Sequence, residues 1–400
     1  MPSLAVTSPN ALWNFAVSPG MGLDGVVQVR AQSFSGTGTI LPDGRHVLTA
    51  AHVVEANGAI LWPIHIEVDT PTGTTSIAVH SVTLHPLFDL ANENHDLAIL
   101  ELAGPAPVTA KRYPIYREGD ELGRTFTLVG YGNPGTGLTG EIHSGPEKLW
   151  GQNRFDADMA ALSAKGLLAW IPKPGVQLAA DMDSGSALRD ALGRLLGVSH
   201  LGLGASEAII TPGDSGGPAF VDGKIAGVAS YGASLWTSSA HPDIDDTVNG
   251  SFGEVAGWQR VSVHQQWIDQ TLRAAYHDAP TRPAEVVPSV AEGDHGTTLV
   301  YFLVQFLGER QDPQSWVSVD FATRDGSASA FEDYLPVSGR LVLYPGEDHA
   351  VIPVEVIGDT LPEGPENFFL DVFNPQGGSF APGVVQLTAM RTILDDDAWV

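Results

Sequence analysis

The chain has 400 residues, more than one ordinary core needs, with 43% hydrophobic residues, 45 glycines, 28 prolines and a mean hydropathy of +0.03, the composition expected of soluble, strand-rich domains. Acidic residues number 47 against 20 basic ones, and the resulting charge of −27 repels nucleic-acid phosphates and anionic lipid. No apolar run is long enough to cross a bilayer, so neither a nucleic-acid partner nor membrane insertion is expected. Cysteine is absent, which excludes disulfides, a thiolate zinc site and a cysteine nucleophile. The opening MPSLAVTSPN has neither a basic nor a continuous apolar leader region, so an exported protein is expected here in mature or trimmed form.

Short alternating runs follow one another with turn signals between them: GVVQVRAQ, GTGTIL, HVLTAAHVV, DLAILELAG, TFTLVGYG and KIAGVASYG. They predict an all-β first domain built as a barrel or sandwich of short strands. Residues 140 to 205 are weakly patterned, with room for short helices. A helical period at residues 262 to 278 puts Val263, Trp267, Leu272 and Ala275 on one face. The proline-rich APTRPAEVVP, residues 279 to 288, reads as a linker, giving domains over 1–280 and 281–400. Beyond it the strand pattern returns at β-sandwich spacing, with 19 Asp and Glu, 5 Arg and no Lys among residues 281 to 400.

The stretch TPGDSGGPAF raises the chemical question. Three glycines surround Ser215, and glycine is costly to order unless a turn or a close approach requires it. A nucleophilic serine needs a base, a group that orients the base, and donors for the oxyanion. His52, in LTAAH, ends an apolar strand; Asp96, in NHDLAIL, stands just ahead of a buried strand, where its rival Asp89 has no such strand behind it. Around Gly213 the backbone can turn so that its N–H and that of Ser215 converge. A lone Gly-Asp-Ser-Gly is usually only a turn, and the twelve other histidines read as surface or core residues; three elements at strand ends in this order carry more weight.

LTAAH, DLAIL and GDSGGP, in the order His, Asp, Ser, resemble the trypsin-like (chymotrypsin-fold) serine peptidases, over roughly residues 24 to 276. The resemblance implies two β-barrels with a C-terminal helix and a serine endopeptidase acting on proteins or peptides without a catalytic cofactor. It makes Ser215 the nucleophile, His52 the general base, Asp96 its orienter, and Gly213 and Ser215 the oxyanion-hole amides. It also assigns substrate contacts to Ile209, Ser230, Tyr231, Gly232 and Ala256, with an apolar floor at Ile209. The family commonly pairs a new amino terminus with the aspartate before the nucleophile, here Asp214, but no such start is legible in residues 1 to 30. The lack of cysteines points to a bacterial branch, acting in an extracellular or periplasmic setting.

The acidic runs of residues 289 to 400 fall at loop positions: Glu292, Asp333, Asp359, Glu363, Glu366, Asp395, Asp396 and Asp397. Carboxylates so grouped repel one another unless solvated or bound to a hard cation such as Ca²⁺. The series VSVDFATRDGSA, EDYLPVSGRLVLYPGE, IPVEVIGDTLPEGPENFFLDV and ILDDD resembles the Calx-beta domain, a calcium-binding, immunoglobulin-like antiparallel β-sandwich. By that resemblance the eight carboxylates are ligands for one or two Ca²⁺ ions, with Gly358 where a further aspartate is common. The other reading of the chain is a non-catalytic, protease-like adhesion or binding protein; oligomeric state is not legible.

Overall fold

The computed structural model describes residues 2–310 and 312–397. It divides into two compact units, residues 1–41 with 45–268, and residues 42–44 with 269–400. The division falls inside the last helix of the first unit, ahead of the proline-rich stretch read as a linker.

In the first unit six strands close into a barrel in the order Val26–Ala31, Phe34–Ile40, His46–Thr49, Ala98–Leu102, Gly73–Leu84 and Ile64–Thr70. Alternation builds it: along Ile64–Thr70 every second side chain is buried, so Ile66 and Val68 face inward while His65 and Glu67 reach outward. A seven-stranded antiparallel sheet follows, running Leu149–Arg154, Thr125–Gly130, Pro218–Val221, Lys224–Ala233, Val255–Arg260, Gln177–Asp181 and Ala157–Asp158. Its core holds Phe126, Phe155 and Trp258, with the two phenylalanine rings stacked at 4.1 Å between centroids. Burial of three large aromatic side chains stabilises this half without disulfides, each by about 1.5–3 kcal/mol relative to exposure.

The weakly patterned stretch contains two short helices, Met159–Ala164 and Ala191–Leu196, each capped by an aspartate: Asp158 accepts from Ala160 N and Asp190 from Gly193 N. The last helix is Val261–Ala275, but its buried face differs from the expected one. Val263 is 50% exposed, and Val261, His264 and Ile268 turn inward instead. The inward face includes polar side chains, His264 and Gln265, that a purely apolar period overlooks.

The second unit pairs Gly296–Gln305 with His349–Gly358, and sets beside them a five-stranded sheet ordered Ser289–Ala291, Gln386–Leu394, Glu366–Gln376, Val317–Asp325 and Ser338–Leu343. Its pairings are antiparallel except the first, where Ser289 lies parallel to Thr392. Phe302, Val354, Val356, Phe368 and Leu370 fill the core, with the rings of Tyr334 and Phe368 stacked at 4.4 Å. Of the expected calcium ligands, Glu292, Asp359, Glu366 and Asp395 sit at strand ends, and Asp333 and Glu363 lie in the connecting loops.

Candidate active site

The register of two barrel strands brings His52 to Asp96. Thr49, at the end of His46–Thr49, pairs with Ala98, so the turn that follows the first strand lies beside the residues that precede the second. His52 opens into the helical turn Ala51–Val54. Asp96 then grips it twice: Oδ1 accepts from the His52 backbone N–H at 2.9 Å, and Oδ2 lies 2.6 Å from Nδ1. Asp89, the rival for this role, instead accepts from Asn92 Nδ2 at 2.8 Å. Ser230 Oγ donates to Asp96 Oδ2 at 2.6 Å, and Gln259 Nε2 reaches Ser230 Oγ at 3.3 Å.

Burial opposes the charge on both members of the pair, and their mutual attraction outweighs it. For His52 the charge and hydrogen bond of Asp96, helped by Glu93, hold the pKa above the ordinary imidazole value. For Asp96 the His52 charge and the donors His52 and Ser230 hold it below the ordinary carboxylate value. Glu93 itself is pushed up to about 7, by burial first and by the Asp96 charge second.

The loop around Ser215 is fixed by its neighbours. Gly213 and Gly216 have φ of +98° and +83°, the left-handed region that suits glycine. Space is as restrictive as torsion: a Cβ on Gly216 would lie 2.1 Å from Thr49 Oγ1 and 2.2 Å from Thr37 O. Thr37 N donates to Ser215 O at 2.8 Å, Thr37 Oγ1 to Gly213 O at 2.9 Å, and Thr49 Oγ1 to Thr37 O at 2.7 Å. The serine loop is thereby fastened to the strand Phe34–Ile40 and, through Thr49, linked to the strand that leads into His52. Asp214 is buried and accepts from Gly132 N and Thr211 N, each at 2.9 Å.

The amides of the loop divide into two sets. Those of Asp214, Gly216 and Gly217 donate to Thr211 O, Ala229 O and Asp214 O. Those of Gly213 and Ser215 have no acceptor among the described residues. Two uncommitted N–H groups flanking a serine side chain are what a developing oxyanion needs.

Of the residues expected to contact substrate, Ser230 turns its hydroxyl to Asp96, and Tyr231 donates its hydroxyl to Gln177 Oε1 while accepting from Trp170 Nε1 at 3.2 Å. Gly232 pairs with Ala256 across adjacent strands. Ile209 is 1% exposed and packs with Leu4, Leu149 and Ala256 in the core. Thr37, Thr49 and Gln259 were not singled out from sequence; the two threonines lie inside GTGTIL and LTAAH, but nothing in those motifs distinguishes a clasp from a strand residue.

In the second unit the eight acidic residues separate. Glu292, Asp395 and Asp397 bring one oxygen each within 4.8 Å of one another, and Asp333, Glu363 and Glu366 do the same. Asp359 and Asp396 stand outside both groups, accepting from Leu361 N at 2.7 Å and Gly293 N at 3.1 Å. Burial, then the charges of Asp359 and Asp395, push Glu292 up to about 7. Burial and then Asp333 push Glu366 up to about 7. Gly358 admits no side chain, because a Cβ there would lie 2.2 Å from Gly293 O.

Comparison with known families gives two matches: the trypsin model over residues 22–209 and the Calx-beta domain model over residues 289–397. This chain joins a trypsin domain to a Calx-beta domain. The trypsin match ends at Ile209, ahead of the loop that carries Ser215. Sodium/calcium exchanger 2 of Mus musculus is 31% identical over 153 residues, 32% of this chain and 17% of its own length. Sodium/calcium exchanger Calx of Drosophila melanogaster is 39% identical over 88 residues, 22% of this chain and 9% of its own. The chain thus spans under a fifth of these relatives. A solved structure of neuropsin, a serine protease expressed in the limbic system of mouse brain, covers 64% of this chain and 98% of its own, at 17% identity and a TM-score of 0.46. No helix among the described residues is long and apolar enough to cross a membrane.

Proposed function

We propose that the trypsin domain, taken as residues 1–280, is a serine endopeptidase that hydrolyses peptide bonds through an acyl-enzyme intermediate. The observation that carries the reading is the double contact of Asp96 with His52, which fixes the imidazole with Nδ1 committed to the carboxylate and leaves Nε2 as the basic nitrogen. In this mechanism His52 takes the proton of Ser215 Oγ as the oxygen attacks the scissile carbonyl. The Gly213 and Ser215 amides receive the oxyanion, and His52 then passes its proton to the leaving amine. Water, deprotonated by the same imidazole, releases the acyl group. No cofactor is needed for any step. An extended substrate would lie along the backbone of 230–232, with an apolar residue before the scissile bond. An extracellular or periplasmic location suits such an enzyme.

The test is labelling by a fluorophosphonate, which reacts only with an activated serine. Wild-type protein should be labelled and Ser215→Ala should not. An unlabelled, folded wild-type chain would instead favour the non-catalytic adhesion or binding reading.

The Calx-beta domain, taken as residues 281–400, is proposed to bind Ca²⁺. Its donor set fits a hard cation: the oxygens are carboxylates, and Glu292 Oε1 and Asp397 Oδ2 are buried without a hydrogen-bond partner. Glu292, Asp395 and Asp397 would hold one ion and Asp333, Glu363 and Glu366 a second, with Asp359 and Asp396 nearby. The ion supplies positive charge that offsets carboxylate repulsion and orders the strand ends.

A further inference from the structure

Among the described residues, a cluster of buried carboxyl groups lies inside the trypsin domain, in the stretch whose sequence shows least pattern. Asp181 ends the strand Gln177–Asp181, Asp183 follows it, and Asp190 caps the helix Ala191–Leu196. These three aspartates are all buried, and each brings an oxygen within 4.8 Å of the others. Glu207, also fully buried, stands just ahead of the strand Ala208–Ile209. Gly202 lies between Asp183 and Glu207: a Cβ on it would be 2.7 Å from Asp183 Cβ and 3.4 Å from Glu207 Oε2.

Several of these oxygens have nothing to bind. Asp181 Oδ2 accepts from Leu192 N at 2.8 Å, Glu207 Oε2 from Leu203 N at 2.8 Å, and both Asp190 oxygens are occupied, by Gly193 N and Ser199 Oγ. Asp181 Oδ1, Glu207 Oε1 and both oxygens of Asp183 are buried and have no hydrogen-bond partner. Asp183 is only 2% exposed, and His200 Nδ1 lies 3.6 Å from its Oδ2. Asp156 adds a further buried carboxylate with one unpartnered oxygen; its other oxygen accepts from Arg154. Burial, followed by the neighbouring carboxylates, pushes Asp181 up to about 8 and Asp183 up to about 10. An unpaired buried carboxylate is among the most costly groups a fold can hold.

We propose that Asp181, Asp183, Asp190 and Glu207 form a cation site of the trypsin domain itself, separate from the Calx-beta carboxylates and taking a hard divalent cation, Ca²⁺. The ligand type decides the ion. An all-carboxylate set suits Ca²⁺, which accepts many oxygens in flexible geometry. Mg²⁺ holds its own waters and prefers fewer protein ligands, and Zn²⁺ favours nitrogen and sulfur. A cation here cross-links a strand end, a helix cap and the segment that leads into the serine loop.

The experiment removes the Calx-beta sites first. In the full chain, Glu292→Gln, Asp395→Asn, Asp397→Asn, Asp333→Asn and Glu366→Gln together form the background, and Ca²⁺ binding is followed by isothermal titration and by the melting of the trypsin domain with Ca²⁺ or EGTA. The background should still bind Ca²⁺ and melt higher with it. Adding Asp183→Asn should weaken that binding at least tenfold and should raise the melting temperature in EGTA, because it removes repulsion. Glu207→Gln, measured in parallel, gives the same reading should Asp183→Asn not fold. A background chain that binds no Ca²⁺ at millimolar concentration, or binding untouched by both substitutions, overturns the site. Melting raised in EGTA with no Ca²⁺ binding would identify a cluster of protonated carboxyls instead. Peptidase activity enters none of these readouts, so the outcome is independent of the catalytic proposal.

Discussion

Ser230 and Asp96 are joined by a buried hydrogen bond of 2.6 Å, made to the same carboxylate oxygen that meets the His52 ring. Ser230 lies in the strand Lys224–Ala233 and Asp96 beside the six-stranded barrel, so the sheet of one half supports the His52–Asp96 pair of the other. A hydrogen bond to a charged group contributes about 1.5–3 kcal/mol. Ser230→Ala should therefore lower kcat/KM by roughly tenfold or more, while Ser215→Ala and His52→Ala each abolish turnover without adding to one another. Steady-state kinetics of the three variants and the double mutant test this, and full activity in Ser230→Ala would remove Ser230 from the catalytic support.

The pH dependence follows from the same pair. His52 serves as a base only when neutral, and Asp96 with Glu93 holds its pKa above 6.5. The acid limb of kcat/KM should have its midpoint above pH 6.5, and Glu93→Gln should move it to lower pH by removing a negative charge. The folded protein binds this proton more tightly than the unfolded chain. The His52 contribution is thus complete below pH 6.5 and is lost as pH rises through the folded value, whereas the Asp96 contribution is lost in acid, as pH falls through its own lowered value. A limb that does not move in Glu93→Gln would show that Glu93 is screened from the imidazole.

Gly216 offers a structural test of the loop. Its φ of +83° and the approach of Thr49 Oγ1 and Thr37 O leave no room for a methyl group. Gly216→Ala should destabilise the trypsin domain by roughly 1–3 kcal/mol through overpacking alone, and by more with the torsional strain added. Thermal or urea melting reads the change. A neutral effect would mean that the loop can retreat from the His52 strand without cost.

The parts of this arrangement legible in the sequence are those carried by local signals. LTAAH and DLAIL are strand ends, and strand ends determine where His52 and Asp96 lie once the register is set. The GDSGGP glycines announce a backbone that only glycine can follow, and Gly213 and Gly216 do adopt it. The acidic loops of the Calx-beta domain stood out because their composition is so one-sided. The buried face of Val261–Ala275 was misread because His264 and Gln265 point inward, where an apolar count expects Val263. The cluster around Asp183 escaped because its members come from positions 181, 183, 190 and 207, and only the folded chain assembles them.

By the proposed pocket assignment, substrate preference would turn on Ile209, which offers no carboxylate to a basic side chain. Desolvating Lys or Arg without a partner is costly, so peptides with Leu or Phe before the scissile bond should be cleaved faster than those with Arg. A set of chromogenic peptides differing only at that position provides the measurement. Faster cleavage after Arg would place an acidic group at the pocket floor and displace Ile209 from that role.

Calcium should raise the melting temperature of the Calx-beta domain. Glu292 Oε1 and Asp397 Oδ2 are buried without partners, and the carboxylates around them repel one another. An ion that binds only the folded domain stabilises it by RT ln(1 + [L]/Kd), about 2.7 kcal/mol at a hundredfold excess over Kd. The measurement uses the full chain carrying Ser215→Ala to prevent self-cleavage and Asp183→Asn to silence the trypsin-domain cluster. Glu292→Gln with Asp397→Asn removes one group of ligands, and Asp333→Asn with Glu366→Gln removes the other. If both groups hold ions, each pair of substitutions should abolish part of the calcium-induced shift, and the four together should abolish all of it. A melting curve that EGTA leaves unchanged before any of the four is introduced would return these loops to solvated acidic surface.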